Sequence, residues 1–359
     1  MRIAVLHTRL APYYVACLRE LCVQGHKILI FVQPPDPNAP FDPEQYQGFD
    51  EIQDRSCLSN TAILSEVKLF QPDAVLVAGW ADRGYMAVCQ QLRKDLVVPV
   101  IAGCDTQWKG SLRQHVASWV APWHLQRSVD VLWVSGERQK TFATALGYRG
   151  SHCWDGIYAC DWPLFAEVAT SRRTADDSWR MVDDPAFLFV GRYLDVKGIN
   201  TLAEAYKIYK NQVEKPWRLI CAGAGPLADM LTEAGAEDRG FVQPIDLPAL
   251  MAEASAFVLP SRFEPWGVVL QEAAASGLPL ICSDVCGAAV HLLRDQFNGH
   301  TFPAGNVDAL VDDMVRISNM TATRYSEYAN GSFELSKQYT PERWVETLCE
   351  GVRRLKAGR

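Results

Sequence analysis

Short apolar runs punctuate the chain, and segments with helical spacing separate them. Residues 3–6 read as a first strand, 13–23 as a helix stopped at Gly25, and 27–32 as a second strand. Residues 74–78, 97–102 and 129–135 predict three more strands. The rhythm breaks at 171–185 (SRRTADDSWRMVDDP), which is polar, charged and without apolar periodicity. It restarts with strands at 187–190, 218–222, 256–260 and 279–283 and helices such as 201–209; past Asn306 the spacing is helical to the end. Continuous Val/Ile/Leu runs alternating with helices indicate βαβ units and parallel sheets covered on both faces. The predicted fold is therefore α/β, two consecutive doubly wound domains joined at 171–185 and closed by a helical segment. The Pro- and Asp-rich stretch 34–54 reads as a surface loop.

Composition agrees with two domains and removes several functions. A chain of 359 residues, 48% of them hydrophobic, exceeds what one hydrophobic core organises. The formal charge is −7, from 35 Lys and Arg against 42 Asp and Glu, so the basic footprint of a general nucleic-acid binder is missing. That balance still leaves room for a small basic pocket. Eleven cysteines are scattered without a CxxC pair; Cys282 and Cys286 come closest, and no histidine cluster completes a zinc site. They read as reduced thiols of a cytoplasmic protein. The apolar run at 3–6 is too short for a signal peptide, and none approaches the ~20 residues that span a bilayer. The chain is expected to be soluble or to lie on a membrane.

Chemistry concentrates at 260–277 (PSRFEPWGVVLQEAAASG). A strand ends at Pro260, a short loop carries Glu264, and a helix begins near Gly267 with Glu272 inside it. Ligands of doubly wound domains sit at the carboxyl ends of strands, facing helix N-termini. The backbone N–H groups of Gly267, Val268 and Val269 would point at an anion. Carboxylates beside an anion site suit hydroxyl groups, so these residues describe a phosphate pocket flanked by a polyol; a capped helix with a solvated Glu272 would show the same pattern. At 187–198 (FLFVGRYLDVKG) a strand runs into Gly191 and Arg192, and Lys197 and Gly198 open the next helix. Arg192 offers a planar fork of donors and Lys197 a mobile point charge for phosphate oxygens, although a solvated basic loop would look alike. Gly223 and Gly225 form a tight turn on the same crevice without a full dinucleotide fingerprint.

Taken in order, Gly191-Arg192…Lys197-Gly198, Gly223-Ala224-Gly225-Pro226 and Glu264-Pro265-Trp266-Gly267…Glu272-Ala273 resemble the nucleotide-sugar-binding half of retaining GT-B glycosyltransferases of family 4. The resemblance covers roughly 185–305. It extends weakly to Ser135-Gly136-Glu137 and to Asp155-Gly156-Ile157-Tyr158-Ala159-Cys160-Asp161. It implies two facing Rossmann-like domains with the active site between them. These would be an acceptor domain at 1–170, a linker at 171–185, a donor domain at 186–335, and a helix at 336–359 returning to the first domain. Arg192 and Lys197 would grip the diphosphate, Glu264 would face the donor sugar, and Glu272 would accept from ribose hydroxyls. Gly191, Gly223, Trp266, Gly267, Val268 and Val269 would complete the donor site, with Phe241 and Val242 near the base. The implied reaction is transfer of a sugar from a nucleoside-diphosphate sugar to a glycan, lipid-linked or other hydroxyl acceptor, with retention. Two cations on the leaving diphosphate and no Asp-x-Asp motif predict catalysis without a metal or other cofactor.

The first domain departs from the pattern. His7-Thr8-Arg9 stands where many relatives carry a Gly-rich loop, and Gly103-Cys104-Asp105-Thr106-Gln107-Trp108 where many carry a histidine. His7, Arg9, Asp105 and Trp108 are the acceptor-side candidates. No acidic residue separates Asp105 from Asp130, whereas Lys109, Arg113, Arg127, Trp119 and Trp123 lie between them. Val116, Trp119 or Val120, and Trp123 follow helical spacing, which fits a core-packed helix or one docked peripherally at an anionic inner membrane surface. Two alternatives share the scaffold: a sugar-nucleotide epimerase or hydrolase, and a non-catalytic nucleotide- or glycan-binding relative. The intact Arg192, Lys197 and Glu264 weigh against both. An NAD-dependent oxidoreductase ranks last, since its pyrophosphate fingerprint is incomplete in both halves.

Overall fold

The computed structural model describes residues 1–34, 41, 47–49, 51–174, 176 and 178–358. Most of the loop expected at 34–54 lies outside them. The first seven strands are β1 (Arg2–His7), β2 (Lys27–Val32), β3 (Ile52–Asp54), β4 (Ala74–Val77), β5 (Val100–Cys104), β6 (Val131–Val134) and β7 (Cys153–Asp155). The next six are β8 (Ala186–Val190), β9 (Arg218–Ala222), β10 (Glu237–Asp238), β11 (Ala256–Leu259), β12 (Leu280–Ser283) and β13 (Gly299–Phe302). They form two sheets with orders β3-β2-β1-β4-β5-β6-β7 and β10-β9-β8-β11-β12-β13. Neighbouring strands are parallel throughout, as continuous apolar strands require. Strand order reverses between β1 and β4 in one sheet and between β8 and β11 in the other. Those switch points are where doubly wound sheets open a crevice.

The expected strands fall within a few residues of their places. Four strands had no apolar run to announce them: β3, β7, β10 and β13. All four are the outermost strands of their sheets. An edge strand needs burial on fewer sides, so Ile52–Asp54 and Glu237–Asp238 hold polar or half-exposed residues.

The chain divides into two compact units, Met1–Ala159 with Pro341–Arg359, and Cys160–Thr340. This differs from the boundaries expected at 170 and 335. The segment 171–185 is no tether: it belongs inside the second unit. Arg172 is buried at the end of the helix Trp162–Arg172, and its guanidinium donates to the carbonyls of Met251 (3.0 Å) and Ala252 (2.8 Å). Trp179 is buried with Tyr325, Ala329 and Phe333. A polar composition there reflects loop turns around two anchored side chains, and the unit boundary precedes the helix instead.

The last helix, Pro341–Ala357, belongs to the first unit. Trp344 stacks on Trp133 at 4.8 Å and donates its indole N–H to the Ile157 carbonyl at 2.9 Å. The helix thereby covers the face of the first sheet that carries Ile3, Val5, Ile101 and Val131.

The helix Leu112–His124 overturns the core-packing reading of its tryptophans. A capping box formed by Ser111 and Gln114 starts it, and Gln114 and Ala121 are its buried residues. Trp119 is 73% exposed and Trp123 59%.

Candidate active site

The second sheet's switch point gathers the expected donor residues. β8 ends at Val190 and delivers Gly191 and Arg192, while neighbouring β11 ends at Leu259 and delivers Pro260 and Ser261. The turns after β8, β9 and β10 adjoin along this edge. The Gly191 N–H donates to the Ala222 carbonyl at 2.9 Å, and the Gly223 N–H to the Gly240 carbonyl at 2.8 Å. Phe241, exposed, and Val242, half-buried, follow Gly240.

The loop 260–267 is held from both sides. The Arg262 and Phe263 N–H groups donate to the Val196 carbonyl at 2.9 and 3.3 Å. On the other side, the N–H groups of Gly287 and Ala288 donate to the carbonyls of Glu264 (3.1 Å) and Trp266 (3.0 Å). Gly198 makes the first clamp possible: its φ is +74°, and a Cβ there would overlap the Pro260 carbonyl. Gly267, at φ +97°, turns the loop into the helix Val268–Ala275, and a Cβ would crowd Glu264 Cγ at 3.1 Å. Among the described residues no side chain caps this helix, so its first N–H groups are unclaimed by a cap.

Within this frame Lys197 Nζ donates to Glu264 Oε2, and Ser261 Oγ donates to the same oxygen at 3.2 Å. The Glu264 side chain is 9% exposed and that of Lys197 20%. Arg192 is exposed, and its guanidinium makes no hydrogen bond or ion pair with any described residue. Glu272 keeps partial contact with solvent yet is enclosed by protein; that enclosure, aided by the Asp161 carboxylate, pushes its carboxyl up to about 7.

Gly191, Arg192, Lys197, Gly223, Glu264 and the Gly267–Val269 turn are thus supplied to one sheet edge. Trp266 differs from its expected role: its ring is buried against His291 (5.7 Å) and Tyr339 (5.6 Å), where it supports the loop. Ser261 and Asp161 are additions. A hydroxyl directly after a strand end was the only signal for Ser261, and Asp161 is distant in sequence from the carboxylate it influences.

In the first unit His7 ends β1 and Asp105 directly follows β5, the strands flanking β4. The His7 imidazole lies 4.6 Å from the Tyr14 ring, and burial pushes its pKa down to about 4. Tyr158 donates its hydroxyl to Asp105 at 3.3 Å and packs edge-on against Tyr13 at 5.4 Å. Arg9 is exposed. Trp108 does not join them: its ring packs on Phe142 at 5.9 Å, at the margin of the core. Among the described residues no group of three or more His, Cys, Asp or Glu could hold a metal ion, and no helix is long and apolar enough to cross a membrane.

Two parallel doubly wound sheets, with the last helix returned to the first unit, define the GT-B fold. Residues 172–331 match the family described as Glycosyl transferases group 1. An uncharacterized glycosyltransferase of Methanocaldococcus jannaschii is 30% identical over 202 residues, 54% of this chain and 49% of that one. Glycogen synthase of Mycobacterium tuberculosis is 31% identical over 208 residues, 54% of this chain and 47% of that one. The matches therefore span about half the length of these curated relatives. The Anabaena protein HepE, solved in complex with UDP, superposes with a TM-score of 0.74 at 16% identity, covering 99% of this chain and 100% of that one. That likeness bears on the fold alone.

Proposed function

We propose that this chain transfers a sugar from a nucleoside-diphosphate sugar to a hydroxyl of a glycan or lipid-linked acceptor, retaining the anomeric configuration and using no metal. The observation that carries this reading is the cluster at the β8/β11 switch point: a free Arg192, the Lys197–Glu264 pair, and an uncapped helix N-terminus beside them. Cations and backbone donors suit a diphosphate, and the Glu272 carboxyl suits ribose hydroxyls. The family of residues 172–331 and the UDP bound by HepE support the same donor class.

The chemistry follows from where charge develops. The bond from the anomeric carbon to the diphosphate oxygen breaks, and its electron pair goes to that oxygen. Arg192 and Lys197, five residues apart after β8, stabilise the resulting charge. The Glu264 carboxylate stabilises the cationic character left on the sugar. The acceptor oxygen then bonds to the same face the phosphate leaves, and its proton passes to the departing diphosphate. Lys197 is shared between Glu264 and the phosphate, so one ammonium couples the two charges. Acceptor binding falls to the carboxyl ends of β1, β4 and β5 in the first unit, with His7, Arg9 and Asp105. Eleven free cysteines support a reducing compartment such as the cytoplasm.

The test is turnover of anomerically pure nucleotide sugars, with the product anomer read by NMR and the assay repeated with a chelator. Retention with full activity under chelation is expected. Inversion, loss of activity restored by Mg²⁺, or NAD-dependent turnover without sugar transfer would overturn the reading.

A further inference from the structure

The helix Leu112–His124 is amphipathic the wrong way round for a globular surface. Its inward face offers Gln114, Ala117 and Ala121, and its outward face Leu112, Val116, Trp119, Val120 and Trp123. At 3.6 residues per turn those five side chains share an arc of about 100°. Leu112 is 85% exposed, Trp119 73%, and Val116 and Trp123 59% each. Trp119 and Trp123 meet edge to face at 6.1 Å, forming one apolar ridge.

This orientation is anchored. Gln114 Oε1 accepts from the Lys109 N–H at 2.7 Å, and Gln114 Nε2 donates to the Gln107 carbonyl at 2.7 Å. Rolling the helix to bury its tryptophans would break those bonds and expose Ala121, which is 2% accessible. The ridge is therefore an outward feature of the folded unit.

Charge says what covers it. The chain carries a net charge of −7, yet residues 106–129 hold no Asp or Glu and include Lys109, Arg113 and Arg127. All three are exposed. Arg113 and His124 border the apolar arc, one near each end of the helix. Tryptophan on the apolar face with the Arg113 guanidinium at its margin suits a headgroup boundary, where the indole is half in hydrocarbon and the guanidinium meets anionic lipid. A 13-residue helix lying flat presents about 20 Å of such contact.

We infer that the helix Leu112–His124 docks this protein onto an anionic lipid bilayer, seating Trp119 and Trp123 at the headgroup boundary. The inference stands whether or not the chain transfers sugars.

The test is co-sedimentation of the full chain with vesicles of phosphatidylcholine alone and of phosphatidylcholine mixed equally with phosphatidylglycerol. Binding roughly tenfold to a hundredfold tighter to the anionic vesicles is expected, weakening with salt. Brominated lipid should quench tryptophan emission. Trp119→Ser with Trp123→Ser should abolish both signals without lowering the melting temperature. Should that variant misfold, Arg113→Glu with Arg127→Glu should remove the anionic preference. Equal affinity for both vesicles, unchanged binding by the variants, or no vesicle binding with Trp119-dependent dimerisation in solution would each overturn it.

Discussion

Lys197 and Glu264, brought together from the turn after β8 and the loop after β11, share an ion pair whose carboxylate is further bonded by Ser261. It links the group proposed to meet the diphosphate with the group proposed to meet the sugar. Losing one partner leaves the other with an uncompensated charge. Lys197→Met is therefore expected to cost about 2–3 kcal/mol, below the figure for a fully buried pair because Lys197 is partly exposed. Urea titration checks this, and the double variant Lys197→Met/Glu264→Gln should lose less than the sum of the singles.

Arg192 behaves oppositely because it has no partner among the described residues to leave behind. Arg192→Ala should keep the melting temperature of the parent. Its affinity for a nucleoside diphosphate should fall by roughly tenfold to a hundredfold, the worth of charge-assisted hydrogen bonds. Calorimetric titration together with a thermal melt separates the two effects. An equal loss of stability and affinity would place Arg192 in the scaffold instead.

The role proposed for Glu272 predicts that donor binding depends on pH. Burial raises its carboxyl from an ordinary 4.5 to about 7, so it is largely protonated in the free protein below neutrality. Ribose hydroxyls donate best to the ionised form, so affinity for a nucleotide sugar should rise as pH climbs through about 7. The profile should flatten in Glu272→Gln. The folded state holds a proton that the unfolded state has released between these two values, so stability falls as pH rises from about 4.5 to about 7. Glu272→Gln should lack that decline, which melts across the range will show.

Gly198 tests the backbone side of the site. Any side chain there meets the Pro260 carbonyl and an unfavourable φ of +74° together. Gly198→Ala is expected to destabilise by on the order of 2–3 kcal/mol and to displace the loop that carries Glu264. Denaturant unfolding measures the first effect and donor affinity the second.

Much of this was written in the sequence in an uneven way. Central strands such as β8 and β11 are buried on both faces and advertise themselves as apolar runs. The edge strands β3, β7 and β10 do not, because they are short and bury little apolar surface, and β13 does not, because Phe302 is its only large apolar residue. The proposed donor cluster was legible because glycine, cation and carboxylate fall on consecutive turns of one sheet edge. The Lys197–Glu264 pair was not, since it joins residues 67 apart through loop geometry. Polar composition at 171–185 suggested an interdomain linker, but two side chains in it, Arg172 and Trp179, are buried anchors. Periodicity at 116–123 gave the apolar stripe without its direction. The small residues Ala117 and Ala121 on the opposite face were the clue to that.

The claim that the β8/β11 crevice holds a nucleoside-diphosphate sugar is tested most directly by thermal melting against UDP-, GDP-, ADP- and dTDP-sugars and NAD. Saturation at 100 times the dissociation constant adds about 2.7 kcal/mol. A raised melting temperature with one nucleotide sugar, absent in Arg192→Ala, is the predicted result. No shift with any of them, or a shift with NAD alone, would contradict it.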